Sequence, residues 1–149
     1  MNPRFLAMIP FLWEWECVKN RRGEVISEDD PDDPGGLTKY GIDQRSHPKV
    51  AIRLLTESQA KEIYWREYWT ANACDSYPKG LGEAHFNACV NCGAGRAKKF
   101  MFACGGSWQK YIDEQEAFYR RLAAARPSSK KFLKGWLNRT SALRKFLSK

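Results

Sequence analysis

Two stretches of this 149-residue sequence hold the side chains best suited to acid–base chemistry. The first, WEWECV, places Glu14 and Glu16 at the end of an apolar run. The second, DPDDPGGLTKYGI over residues 30–42, sets three aspartates among prolines and glycines. A pair of carboxyl groups facing each other across a cleft is typical of enzymes that cleave sugar chains, where one donates a proton and the other acts on water or on the sugar. The two stretches together predict a site of this kind.

Helical geometry separates the two glutamates. At about 100° per residue, Glu16 falls on one stripe with apolar side chains, whereas Glu14 lies roughly 160° away. The apolar members of the stripe are Phe5, Ile9, Leu12 and Trp13. An unpaired charge on a buried stripe costs several kcal/mol, so burial favours the neutral acid form, which suits a general acid. Glu16 is the candidate acid and Glu14 the alternative. A structural glutamate that bonds the backbone or an arginine fits the same segment.

The acidic stretch offers a second carboxylate on a stiff loop. Its prolines restrict the backbone, and its paired glycines permit angles that other residues avoid. Asp33 is the candidate because a proline and the glycines follow it directly, and Asp32 is the reserve. Thr38, five residues later, is placed to hydrogen-bond a water or a sugar hydroxyl.

Two other interpretations of this loop are open. Asp30-x-Asp32 fits the start of a calcium loop, but Pro34 takes the fifth position and Gly41 the twelfth, where a glutamate is required. A surface turn whose acids only cap the backbone also fits the stretch taken alone.

Size and charge narrow the classes of function. The length suits about one domain. Residues 96–149 hold 14 Lys and Arg against 3 Asp and Glu, while the rest of the chain is weakly acidic. This asymmetry predicts an anionic polymer as partner, such as cell wall, membrane surface or nucleic acid. No nucleic-acid motif is present, so we expect no nucleic-acid partner. We also expect at most peripheral contact with a membrane, and a monomeric protein.

The cysteines and the N-terminal segment predict a reducing compartment. Five cysteines, an odd number, occur without a recognisable secretion signal, because Pro10 and then Glu14 interrupt the apolar start. Cys89 and Cys92 have C-x-x-C spacing with His85 one turn earlier, which by itself is a weak zinc pattern. Small buried side chains explain it better, and we predict no metal and no cofactor.

Apolar periodicity and capping residues predict a mostly α chain with one small hairpin near the candidate site. Helices are expected over residues 5–19, 56–69, 82–93, 96–104, 107–125 and 128–147, the last as one or two helices, and a turn is expected at Arg22-Gly23. We treat residues 1–149 as a single domain. Residues 1–95 carry the candidate catalytic motifs, and residues 96–149 form a basic helical segment packed on them.

Aromatic and amide side chains on the predicted helices are candidates for sugar contacts. Tyr68 and Trp69 could line a saccharide groove, although aromatic side chains more often fill cores. Asn91 could bond an acetamido group or serve as a structural hydrogen-bonding residue.

Five stretches occur in one order along the chain: EWECV, DPDDPGGLTKYGID, LTESQAKEIYWREYW, FNACVNCGAGRA and KFLKGWLNR. Together they resemble the glycoside hydrolase family 108 muramidases, which are often phage endolysins. The resemblance implies a lysozyme-like fold with a C-terminal peptidoglycan-binding-like segment, and cleavage of the β-1,4 bond between N-acetylmuramic acid and N-acetylglucosamine. It also implies that Glu16 is the general acid, that Asp33 positions or activates water, and that Thr38 assists.

The sequence departs from the family pattern at a few positions. Cys17 and Val18 stand where the family has two glycines after the glutamate, and Asn87 stands where it has an aspartate. For Asn87 we expect a packing role. The resemblance further implies accumulation in the host cytoplasm until a pore-forming partner, such as a phage holin, gives access to the wall. The rivals are a basic module that binds wall or nucleic acid without cleaving it, and an inactive family member.

Overall fold

The computed structural model describes residues 1–32 and 34–149. Asp33, the candidate second carboxylate, therefore lies outside the described residues. The described chain contains six α-helices: α1 (Pro3–Glu16), α2 (Glu57–Tyr64), α3 (Leu81–Cys92), α4 (Ala94–Ala103), α5 (Trp108–Ala125) and α6 (Leu133–Leu147). The mostly α, lysozyme-like class with small β elements is confirmed. Within the described residues, no helix is both long and apolar enough to cross a bilayer.

Short strands form two antiparallel sheets between α1 and α2. The first pairs β1 (Val18–Lys19) with β2 (Val25–Ile26) and confirms the turn expected at Arg22-Gly23. The second has the order β3-β4-β5, formed by β3 (Glu28–Asp29), β4 (Leu37–Lys39) and β5 (Ile42–Asp43). The acidic loop joins β3 to β4. This second sheet was not predicted, because strands of two or three residues are too short to show an alternating pattern.

Side-chain caps fix where the helices begin. The Thr56 side chain accepts a hydrogen bond from the Gln59 backbone N–H, and the Gln59 side chain accepts one from Thr56 N–H, as the capping-box pattern predicts. The Ser107 side chain caps α5 in the same way through Lys110 N–H. At α1 the cap is Asn2, so this helix begins before the expected residue 5.

Two helices depart from the predicted form. Pro10 lies inside α1 without ending it, and the helix stops at Glu16 rather than at residue 19, because Cys17 adopts an extended conformation. After α2, residues Trp65–Thr70 form a π-helical turn where a regular helix was expected. Such turns are rare and often lie at functional sites.

An aromatic core joins α1 to the π-helical turn and α3. The Phe5 ring makes edge contacts with Trp65, Trp69 and Phe86 at centroid distances of 5.2, 5.8 and 5.7 Å. Helix α6 packs against the other side of α1, where the Phe11 and Phe146 rings lie 5.6 Å apart. The C-terminal helix is therefore part of the scaffold that holds the end of α1.

Candidate active site

Glu16 is the last residue of α1, and its side chain is 18% exposed. Glu14, two residues earlier, lies on the exposed side of the helix. The two glutamates thus differ in burial in the way that helical geometry predicts. Glu16 combines a fixed position with access to solvent, whereas Glu14 has only the access.

A buried arginine pairs with Glu16. Arg139 Nη1 donates to Glu16 Oε1 at 2.6 Å, and Arg139 Nε donates to Asn87 Oδ1 at 3.0 Å. The Arg139 side chain is 7% exposed. A chain of hydrogen bonds thus links α1, α6 and α3. Glu16 is a paired carboxylate rather than an isolated buried charge, which also fits the structural interpretation given to it above.

Asn87 does more than pack. It is 1% exposed, and its carbonyl oxygen accepts from Nε of Arg139, while Nη1 of the same guanidinium donates to Glu16. The expectation of a packing role is corrected, because a buried side chain that accepts from Arg139 also orients it. An amide carries no charge, so Glu16 is the one carboxylate that pairs with Arg139 among the described residues.

The turn between β4 and β5 packs directly on Glu16. Tyr40 and Gly41 have φ values of 55° and 76°, as in two-residue hairpin turns. A Cβ at Gly41 would lie 2.8 Å from Glu16 Oε2 and 2.5 Å from the Tyr64 hydroxyl. That hydroxyl donates to the Tyr40 carbonyl at 2.7 Å. The carboxyl group is therefore held by Arg139 at one oxygen and bounded by the hairpin at the other.

We expect Gly41→Ala to lower both stability and activity, since the new methyl group would displace Glu16 or Tyr64. Gly23→Ala is the matched control, because Gly23 has a similar φ of 80° with no atom near its Cβ position. The free energy of unfolding should fall by about 1 kcal/mol in the control, from backbone strain, and by about 3 kcal/mol in Gly41→Ala. Urea unfolding measures the stability and hydrolysis rates measure the activity. Equal losses of stability in the two variants would contradict the close packing at Gly41.

Tyr68 lies beside the carboxyl group, whereas Trp69 does not reach solvent. The Tyr68 ring is half-buried with its centroid 5.3 Å from that of Tyr64. Burial raises the pKa of Tyr68, and the nearby carboxylates of Glu67, Asp43 and Glu16 raise it further. Trp69 is 0% exposed in the aromatic core. The expectation that Trp69 lines a saccharide groove is corrected, because a fully buried ring cannot stack on a sugar.

Thr38 lies on the hairpin that contacts Glu16. Its hydroxyl donates to the Gly36 carbonyl at 3.2 Å, and it pairs with Asp43 across the β4–β5 ladder. The turn at Gly41 brings this hairpin to Glu16, but no hydrogen bond joins Thr38 to Glu16 within the described residues. Thr38 is therefore near the site while its hydroxyl is oriented by its own loop.

Asp43 is a second half-buried carboxylate near the site. Its Oδ2 accepts from Ser46 N–H at 3.0 Å, and its charge acts on Tyr68. Nothing in the spacing of the acidic loop pointed to Asp43, since it follows the glycine turn rather than preceding it. In the acidic loop Asp30, Pro31, Asp32 and Pro34 are exposed, and Asp30 Oδ1 accepts from Asp32 N–H at 2.9 Å, as in a surface turn.

The side-chain amide nitrogen of Asn91 donates a hydrogen bond within the protein. Its Nδ2 donates to the Tyr119 hydroxyl, which also accepts from Gln115 Nε2 at 2.9 Å. Tyr119 stacks on Trp136 with a centroid distance of 5.0 Å. This network ties the end of α3 to α5 and α6. For the amide nitrogen of Asn91, the structural interpretation therefore holds rather than the expected bond to an acetamido group.

Cys17 follows Glu16 directly without adding a reactive group. Burial raises the pKa of its thiol to about 11, so the thiol is neutral near pH 7 and a weak nucleophile. All five cysteines are free. Cys17 therefore adds no reactive thiolate beside Glu16 near pH 7.

His85 and Cys89 are buried, and Cys92 is half-buried against the core. His85 Nδ1 lies 2.8 Å from the Tyr111 hydroxyl, and its Nε2 lies 3.8 Å from Cys89 Sγ. In the part of the chain that the structure describes, no three His, Cys, Asp or Glu side chains are grouped to hold a metal ion. The small-residue interpretation of Cys89 and Cys92 agrees with this packing.

His85 predicts that stability falls in mild acid. Burial lowers its pKa to about 4, while an unfolded histidine titrates near 6.5. Between these values only the unfolded chain takes up the proton, so lowering the pH favours unfolding, by up to about 3 kcal/mol. Urea unfolding of the wild type and His85→Gln at pH 7 and pH 4.5 measures this. The wild type should lose more stability, and equal losses would contradict the assignment.

Comparison with known proteins gives the family and the fold. The family described as Glycosyl hydrolase 108 matches residues 18–93, just over half of the chain. A structure described as Brucella abortus SagA has a TM-score of 0.73 at 24% identity, covering 96% of this chain and 92% of that one, and shows the same fold. Comparison with curated proteins gives no match. The chain therefore belongs to the glycosyl hydrolase 108 family and is a glycoside hydrolase of the peptidoglycan-degrading type.

Proposed function

We propose that this protein is an N-acetylmuramidase that hydrolyses the β-1,4 bond between N-acetylmuramic acid and N-acetylglucosamine, with Glu16 as general acid. The observation that carries the proposal is the placement of Glu16. Its carboxyl group is partly exposed, paired with Arg139, and bounded by the Gly41 turn and Tyr64. Proton donation to a leaving oxygen requires an acid held within hydrogen-bond reach of the substrate.

The two oxygens of Glu16 have different tasks in this mechanism. Oε1 accepts from Arg139 at 2.6 Å, so the proton that the carboxylate takes up before the reaction, and then transfers, is carried on Oε2. When Glu16 gives up that proton it becomes a carboxylate, and the fixed charge of Arg139 stabilises the negative charge as it develops. Asn87 keeps Arg139 in place for this step.

The remaining roles follow the family resemblance. Asp33 positions or activates the water and balances the oxocarbenium charge, with Thr38 assisting. Tyr68 offers a half-buried aromatic face to a sugar ring. Asp43 competes with Asp33 for the second carboxylate role because of its position beside Tyr68. Comparing hydrolysis by Asp33→Asn and Asp43→Asn assigns the role to the variant with the greater loss.

The biological role we propose is lysis of a bacterial host by a phage endolysin, acting as a monomer. The chain would accumulate in the host cytoplasm and reach the wall through a pore such as a holin. The basic segment over residues 96–149 would hold the anionic wall near the active site, since opposite charges raise the local concentration of polymer.

The products of digestion test the proposed reaction. Purified peptidoglycan treated with the protein should clear, and mass spectrometry should find fragments with reducing N-acetylmuramic acid ends. Fragments ending in anhydro-muramic acid would instead show that the sugar's own hydroxyl replaces water. Binding to the wall without clearing would favour the non-catalytic alternative.

A further inference from the structure

A cavity of about 530 Å³ lies at the opposite end of α1 from Glu16. It is open to solvent on one side and is lined by the start of α1, the loop before α3, the first residue of α5 and the end of α6. Arg4 in its wall and Glu16 lie about 18 Å apart along the helix axis, at 1.5 Å per residue. The cavity is therefore separate from the proposed active site, and nothing in the proposed reaction uses it.

One wall of the cavity is apolar. It is formed by Ala7, Met8, Trp108, Phe146 and Leu147. The Trp108 ring packs so closely over Gly80 that a Cβ there would lie 2.7 Å from Trp108 Cδ1, which fixes the ring. A volume in this range and a rigid aromatic wall are typical of sites that enclose small molecules.

The rim of the cavity carries uncompensated positive charge. Arg4 is neutralised, because its guanidinium donates to both oxygens of Glu83 at 2.9 Å and to the Tyr77 carbonyl at 3.0 Å. Lys79 also lines the cavity and forms no ion pair within the described residues. A ligand in the cavity thus meets the free ammonium group of Lys79 and no free carboxylate side chain among the described residues that line it.

We propose that this cavity binds an amphiphilic anion, with its apolar chain against Trp108 and Phe146 and its anionic head group on Lys79. The apolar wall supplies the affinity through burial of hydrocarbon, and Lys79 selects the charge. A free fatty carboxylate and an anionic membrane lipid share this chemistry. The proposal stands apart from the hydrolase reaction and does not depend on it.

Calorimetric titration with sodium dodecanoate below its micelle concentration tests the site. We expect saturable binding of one chain per protein. Dodecyltrimethylammonium has the same chain and the opposite charge, and its affinity should be lower by a factor of at least about ten. A tenfold lower affinity corresponds to a binding free energy weaker by about 1.4 kcal/mol. Equal affinity for the two amphiphiles, or no saturable binding of dodecanoate, would overturn the proposal.

Three variants locate the binding within the cavity. Ala7→Leu fills the apolar wall from an exposed position on α1 and should abolish binding, while Lys79→Glu reverses a rim charge and should weaken it about tenfold. Lys110→Glu makes the same charge change at an exposed lysine outside the cavity and should bind like the wild type. Equal losses in Lys79→Glu and Lys110→Glu would show general charge attraction and refute the site.

A vesicle experiment identifies the source of the ligand. Co-sedimentation with phosphatidylglycerol vesicles, but not phosphatidylcholine vesicles, and its loss in Ala7→Leu, would assign the site to a membrane lipid. Binding of dodecanoate without co-sedimentation would assign it to a free fatty acid. Hydrolysis of soluble peptidoglycan fragments should be unchanged in Ala7→Leu, so failure of this site is distinguishable from failure of the proposed reaction.

Discussion

Replacing Glu16 by glutamine should slow peptidoglycan hydrolysis by about 10²- to 10⁴-fold, the usual contribution of a positioned general acid. Glutamine has nearly the same shape and keeps a carbonyl oxygen that can accept from Arg139, but it carries no transferable acidic proton. The loss should therefore appear in kcat while the fold stays intact. Loss of turbidity and the release of reducing ends measure the rate, and urea unfolding checks the fold.

Glu14→Gln is the matched control, because it makes the same chemical change two residues away on the exposed side of α1. It should retain the wild-type rate. If Glu14→Gln were inactive and Glu16→Gln active, the family assignment would stand while the choice of acid from helical geometry would be wrong. If both were active, neither glutamate would be the acid.

Replacing Arg139 by methionine should destabilise the protein by about 3–5 kcal/mol, as expected when one partner of a buried ion pair is removed. Glu16 would keep a partly buried charge without its partner, and Asn87 Oδ1 would lose its donor. Hydrolysis should also fall, because the carboxyl group would be free to leave its position. Urea unfolding at pH 7 and steady-state rates measure the two effects.

Arg144→Met is the control on the same helix. Arg144 pairs with Asp113 and Glu116 but is 32% exposed, so its replacement should lower the free energy of unfolding by only about 1 kcal/mol. A double-mutant cycle with Glu16→Gln and Arg139→Met isolates the coupling of the pair. Equal costs for Arg139→Met and Arg144→Met would mean that the Glu16–Arg139 pair contributes no more than a surface bridge.

Local signals predicted the helices well. A helix boundary is marked by a hydrogen bond or a proline ring that involves only residues close in sequence, so it can be recognised without the structure. The examples are the Thr56–Gln59 capping box, the Ser107 cap and Pro127 after α5. The apolar stripe of α1 also predicted correctly that Glu16 is more buried than Glu14. These features need no knowledge of distant parts of the chain.

The partner of Glu16 was missed because it lies 123 residues away. In the sequence, Arg139 looks like one more base in a basic tail. Placing the residues of α6 at 100° intervals around the helix would have indicated that Arg139 is buried. It lies on the same face as Trp136, Thr140 and Leu143, which are half-buried or buried. No local pattern, however, indicates which distant carboxylate such an arginine meets.

The aromatic helix shows a second limit of prediction. Tyr68 and Trp69 are neighbours of similar type, and composition alone cannot decide which one faces the site. The π-helical turn over Trp65–Thr70 widens the helix through i→i+5 bonds, so a rotation of 100° per residue no longer applies there. The structure turns Trp69 into the core and leaves Tyr68 beside the carboxylates.

The bond between Arg139 and Glu16 joins the first helix to the last, which has a consequence for how the protein is made. During synthesis Glu16 leaves the ribosome long before Arg139, so a growing chain holds the proposed acid without its partner. Hydrolysis is expected only after α6 has been completed and has docked. Under the proposed mechanism, α6 belongs to the catalytic unit, and we expect chain termination or clipping before α6 to yield an inactive fragment rather than a weaker enzyme.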